Sequence, residues 1–117
     1  MNSRKFPRIN YKCRIKVQKN GKEERMETFT ENIGQGGICV SLPADIGIFE
    51  EVTLEMFLGE EKGIIQCLGK VVWVVKGHPA NREDTVMYDT GIEFVDLVKQ
   101  DKEKVEALIE DLLTGKT

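Results

Sequence analysis

Arg4 and Arg8 stand four residues apart near the start of the chain. Asn32-Ile33-Gly34-Gln35-Gly36-Gly37 lies between two apolar, strand-like segments. Gly34, Gly36 and Gly37 are more glycines than a plain turn needs. Glycine serves where the backbone takes positive φ, or where something must come close to it. Consecutive N–H groups in such a run can converge on an anion. The charge distribution offers the matching half: residues 1–25 hold nine basic residues against Glu23 and Glu24, so +7, and the rest of the chain carries −10 for a net of −3. A basic end of this kind suits an anionic ligand. It also reads as a solvated tail that offsets an acidic domain, and the glycine run also reads as a tight corner.

Other chemistries find less support. The three cysteines, Cys13, Cys39 and Cys67, are far apart and each falls in an apolar strand pattern. They read as buried thiols in a reducing cytoplasm rather than disulfides. Without a C-x-x-C pair, and with His78 alone in a loop, no metal site is expected. Asp89 and Glu93 read as solvent-facing strand residues, so no carboxylate pair for acid–base catalysis is indicated. Thr114-Gly115-Lys116-Thr117 ends like a phosphate-binding loop, but position 110 is Glu where that loop needs Gly. No apolar run reaches the length of a membrane span, and the N-terminus leads into no signal-like segment.

The elements that must position these residues can be read from periodicity. At 117 residues the chain is one domain with room for a core. Residues 1–10 read as a flexible basic arm in which Pro7 biases Phe6 away from helix. Tyr11, Cys13, Ile15 and Val17 alternate with polar residues, the mark of a half-buried strand. Asn20-Gly21 is a hairpin signal, and a returning strand over 22–33 has imperfect alternation that calls for a bulge. Further strands are expected over 38–42, 51–58, 64–75 and 87–95, the longest of them bending at Gly69. Val105, Leu108, Ile109, Leu112 and Leu113 then form one stripe of a helix over about 101–113, with Asp101 as N-cap and Gly115 at its end. The fold class is all-β with one C-terminal helix: a six-stranded antiparallel β-barrel over residues 11–117, on which the helix packs its stripe. Trp73 is read chiefly as packing on or in that barrel.

With the elements in place, the chain resembles the PilZ domain family. Arg4-Lys5-Phe6-Pro7-Arg8 fits its R-x-x-x-R motif, and Asn32 to Gly37 fits [D/N]-x-S-x-x-G except at Gly34. Gly69-Lys70-Val71-Val72-Trp73 and Gly91-Ile92-Glu93-Phe94 look like two of its strands. The resemblance implies a split-barrel fold and a bacterial receptor for cyclic di-GMP, with no catalysis and no other cofactor. It implies a ligand site of Arg4, Arg8, Asn32, Gly34, Gly36 and Gly37, with the arginines on phosphate and guanine edges. Arginine suits this because its planar fork pairs with phosphate oxygens or bidentately with guanine, and it also stacks on a base. Gly34 lacks the hydroxyl of the family serine, a loss of about 0.5–1.5 kcal/mol for a neutral hydrogen bond. Signalling is expected to run by conformational change and docking on an effector protein. The alternative is a ligand-free PilZ-type interaction module. A nucleic-acid polymer is not an expected partner, since the net charge is negative and aromatics are few.

Overall fold

The alternation of apolar residues becomes strands wherever it can bury one face. The computed structural model describes residues 8–77 and 86–115. Its elements are β1 (Ile9–Asn10), β2 (Arg14–Lys19), β3 (Met26–Ile33), β4 (Gly37–Leu42), β5 (Glu51–Phe57), β6 (Ile64–Lys76), β7 (Tyr88–Phe94) and α1 (Lys99–Thr114). All pairings are antiparallel, in the order β1-β3-β2-β5-β6-β7-β4, and β4 returns to β3. β2 to β7 therefore form a closed barrel of six strands, with β1 as a short addition on β3. Closure leaves none of these six strands with a long exposed edge.

The interior is filled by one side of every barrel strand. Ile15, Val17, Ile33, Ile38, Val40, Leu42, Val52, Leu54, Met56, Ile65, Val71 and Ile92 are all buried in one cluster. Val105, Leu108 and Ile109 of α1 belong to the same cluster, so the helix caps the barrel core. Each such side chain contributes about 1.5–3 kcal/mol on full burial. A 3.0 Å ion pair from Lys62 to Asp111 ties α1 to the β5–β6 turn.

Several boundaries differ from the sequence expectation. The returning strand starts at Met26 rather than residue 22, after a turn with Gly21 at φ +87°. The helix begins at Lys99 with Val98 at the N-cap and no side-chain cap, so Asp101 lies within the first turn instead of capping it. Gly115 closes the helix in the left-handed conformation, its N–H donating to the carbonyl of Asp111. Leu113 is exposed and outside the helix stripe. Gly69 is not where β6 is irregular. A Cβ there would lie 2.6 Å from Ile92 and 3.0 Å from Leu54, so close packing accounts for that glycine.

Three interruptions of the ladder share one level of the barrel. On the first, Arg14 faces Phe29 but Asn10 faces Asn32, so the segment between β1 and β2 holds one residue more than β3 opposite it. On the second, β3 shifts against β4 between Thr30 and Asn32. On the third, β6 shifts against β7 between Val71 and Trp73. A bulge turns neighbouring side chains towards the same face and re-aims the remainder of its strand.

Candidate ligand-binding site

The second and third bulges meet across the outer face of the barrel. The register runs Asn32 to Cys39, Cys39 to Gly91, and Gly91 to Trp73. These four residues make one row over β3, β4, β7 and β6. The flanking Thr30, Val40, Ile92 and Val71 are fully buried, which assigns the row to the opposite, outer side. Trp73 lies over Gly91: a Cβ there would be 2.3 Å from Cε2 and Nε1 of its indole. The tryptophan is half-buried against the barrel wall and outside the core cluster.

Arg8 reaches the other end of the row. Pairing of Ile9 with Ile33 and of Asn10 with Asn32 holds the chain beside β3. From there the Arg8 guanidinium donates to Asn32 Oδ1 at 3.2 Å. The arm is thus part of the sheet from Ile9 onward. Arg4 lies outside the described residues.

Charge converges on the middle of the row. The Cys39 thiol donates to Glu31 Oε1 at 3.6 Å. Burial, then the Glu31 carboxylate, push that thiol up to about 12, with Asp89 adding and Arg8 opposing. Glu31, Asp89 and Arg8 therefore all lie close enough for their charges to act on Cys39. The thiol stays protonated near neutral pH and works as packing, since the thiolate is the nucleophile.

The glycine turn adjoins this row. The Gly34 N–H donates to the Gly37 carbonyl at 2.9 Å, closing a loop over Gln35 and Gly36. None of Gly34, Gly36 and Gly37 is among the glycines with positive φ, so left-handed backbone is not their reason. At Gly37 the reason is the neighbouring strand: a Cβ would fall 2.3 Å from the Ile92 carbonyl oxygen. At Gly36 a Cβ would meet nothing within 4 Å. No described part of the chain requires glycine at 36. A cleft of about 430 Å³, lined by Gln35, Gly36, Phe94, Lys102 and Glu106 among others, opens between the turn and α1. A separate cleft of about 460 Å³, around Arg14, Phe29 and Phe57, includes none of the expected site residues.

Arg8, Asn32 and the glycine turn are thus brought to one region. The reading of Trp73 as packing on or in the barrel agrees with its place over Gly91, while Glu31 and Cys39 are not singled out for the site by the sequence reading. The usable signal is broken alternation: Val71-Val72-Trp73-Val74 cannot keep a period of two with both Val71 and Val74 directed inwards. Among the described residues no group of three or more metal-ligating side chains gathers.

The PilZ domain model matches residues 2–111. The chain belongs to the PilZ domain family. Its barrel matches the PilZ domain of YcgR from Escherichia coli with c-di-GMP at TM-score 0.77 and 12% identity, over 98% of this chain and 95% of that one. It matches the MrkH–c-di-GMP complex of K. pneumonia at TM-score 0.78 and 16% identity, over 99% of this chain and 54% of that one. The Bacillus subtilis inhibitor of motility, MotI/DgrA, matches at TM-score 0.75 and 20% identity, over 97% and 53%. This PilZ domain thus spans about half the length of the latter two. No curated protein matches it. No described helix is long and apolar enough to cross a membrane.

Proposed function

We propose that this PilZ domain is a bacterial cytoplasmic receptor for cyclic di-GMP, acting by binding rather than catalysis. The observation that carries the reading is the Arg8–Asn32 hydrogen bond at 3.2 Å, which sets a guanidinium and a carboxamide side by side on the barrel. Arg8 supplies a fork for phosphate oxygens or for guanine O6 and N7. Asn32 supplies a donor and an acceptor for a base edge. Trp73, three strands away in the same row, offers an aromatic face for a base, worth about 1–3 kcal/mol where such stacking has been measured. Gly36 leaves the turn open to close approach, and Arg4 adds a second guanidinium from the arm. Gly34 and Gly37 shape the turn. Two of the solved relatives hold c-di-GMP, which supports the same ligand here. Signalling then runs by conformational change and docking on an effector protein.

Isothermal titration of the protein with cyclic di-GMP tests this, beside Arg8→Ala. Saturable binding is expected. Loss of one charged hydrogen bond, about 1.5–3 kcal/mol, weakens it by roughly 10-fold to 150-fold. Absence of saturable heat at tens of micromolar protein overturns the reading.

A second reading, a ligand-free interaction module, is favoured by one observation: Gly34 stands where the family motif has serine. It expects Arg4→Ala with Arg8→Ala to leave biological activity intact.

A further inference from the structure

Arg8 can meet Asn32 only if the first strand keeps its extra residue. Counting back from the Arg14–Phe29 pair without a bulge, residue 11 would face Asn32; in the structure Asn10 does. A one-residue slip moves a strand by about 3.3 Å and turns every side chain to the other face. Arg8, Asn10, Lys12 and Arg14 keep one unbroken alternation on the outer side, whereas β3 changes face at Glu31; the extra residue at Tyr11-Lys12-Cys13 therefore keeps outer residues opposite Asn32 and sets Arg8 beside it. An unfilled bulge would leave main-chain groups without partners.

Thr30 fills it. Its side chain is fully buried, one of only two buried polar residues among those described. Its Oγ1 accepts from the Cys13 N–H at 3.0 Å and donates to the Tyr11 carbonyl at 2.6 Å. Its own N–H donates to the Cys13 carbonyl at 2.9 Å, while the Tyr11 N–H donates to the Glu31 carbonyl at 3.3 Å. One hydroxyl thus replaces the ladder bonds that Lys12 interrupts. Below it the ladder resumes at Asn10–Asn32 and Ile9–Ile33, one residue away from Arg8. The Tyr11 hydroxyl, donating to the Leu58 carbonyl at 3.3 Å, pins the same segment from the other side.

We infer that Thr30 is a positioning residue for the ligand site: its buried hydroxyl fixes the bulge, and the bulge fixes the register in which Arg8 meets Asn32. The ligand part of this inference rests on the cyclic di-GMP reading; the register part does not. Valine is close to threonine in shape but leaves the Cys13 N–H and Tyr11 carbonyl unpaired. Serine keeps the hydroxyl.

The test titrates cyclic di-GMP into the wild type, Thr30→Val, Thr30→Ser, Arg8→Ala and the Thr30→Val/Arg8→Ala double variant, each at a temperature where circular dichroism finds it folded. Thr30→Val is expected to lose affinity on the order of 10-fold, within the range of one charged contact. Thr30→Ser is expected to stay within about 3-fold of wild type. The decisive readout is non-additivity: with Arg8 already removed, Thr30→Val should cost less than about 2-fold more, because it acts through Arg8. An equal loss in both backgrounds overturns the inference, as does unchanged affinity in Thr30→Val or a 10-fold loss in Thr30→Ser. Amide exchange in the wild type reads the register without ligand. The Cys13 N–H should be protected like the β2–β3 ladder, and exchange at the rate of an open loop overturns the Thr30 bridge. If the wild type binds no cyclic di-GMP, the functional reading fails while amide exchange still decides the role of Thr30.

Discussion

Gly36 and Gly37 are neighbours in one turn, yet the structure gives them opposite reasons to be glycine, and an alanine at each separates the two. At Gly37 a Cβ would sit 2.3 Å from the Ile92 carbonyl oxygen and 3.1 Å from Glu93 Cα. Ordinary van der Waals contact starts near 3.4 Å, so β4 and β7 would have to part by about 1 Å at their Gly37–Glu93 pair. Forcing a packed interior in this way costs about 1–3 kcal/mol, with up to about 1.5 kcal/mol more for each ladder hydrogen bond that breaks. In a domain of this size each kcal/mol lowers Tm by roughly 4 °C. With up to one ladder bond broken, Gly37→Ala should therefore melt about 4–18 °C below wild type, whatever the ligand does. At Gly36 a Cβ meets nothing, and the backbone is not left-handed. Gly36→Ala should range from neutral to about 1 kcal/mol more stable, since alanine narrows the unfolded ensemble. Any loss should appear only with cyclic di-GMP, as affinity lower by about 5-fold or more if the ligand lies against the turn. Thermal denaturation and titration calorimetry on both variants decide the matter. A Gly37→Ala protein as stable as wild type would refute the close approach of β7. A Gly36→Ala protein that loses more than about 1 kcal/mol of stability would place the demand for glycine within the chain, and one that binds as wild type would remove the turn from the ligand's path.

Gly91→Ala should push the Trp73 indole off the barrel wall, because the new methyl would overlap Cε2 and Nε1. Trp73 is the only tryptophan, so a red shift of its emission without loss of the circular dichroism of the barrel reports this, and an unchanged spectrum counts against it. Lys62→Met should cost at most about 1 kcal/mol, since its ion pair with Asp111 is only partly buried, and should loosen the end of α1 first in amide exchange. Alkali should destabilise the fold: burial raises the Cys13 thiol and lifts Cys67 to about 11 and Cys39, with Glu31 nearby, to about 12. Above about pH 9 the unfolded thiols ionise while the folded ones keep their protons, so stability falls as pH rises from there towards about 12. A urea midpoint that holds constant from about pH 8.5 to 10.5 would contradict this.

Much of the barrel was legible because each of its strands buries one face. A closed sheet with a single interior stamps a period of two on Ile15 and Val17, on Ile38, Val40 and Leu42, and on Val52, Leu54 and Met56. The helix was legible for the same reason at a period near 3.6, through Val105, Leu108 and Ile109. Its start was not legible: Val98 caps by backbone geometry alone, which no side-chain signature marks, while Asp101 in the first turn has the residue type of a cap. Arg8, Asn32 and the glycine run were visible as a motif, since their types carry the chemistry.

Strand count, helix and the residue types that suit an anionic nucleotide can be read along the chain, because apolarity and side-chain chemistry belong to each residue. Which of those residues share a face is settled by folding. That choice rests on three register shifts, at Lys12, Glu31 and Val72; those at Glu31 and Val72 show in sequence as a break in period, and the one at Lys12 leaves the alternation of its strand intact. The register is set by partners far along the chain: Thr30 across from Cys13, Cys39 across from Gly91, Trp73 over Gly91. Long-range pairing also separated Gly37, which is small because β7 passes over it, from Gly36, which nothing in the described chain confines.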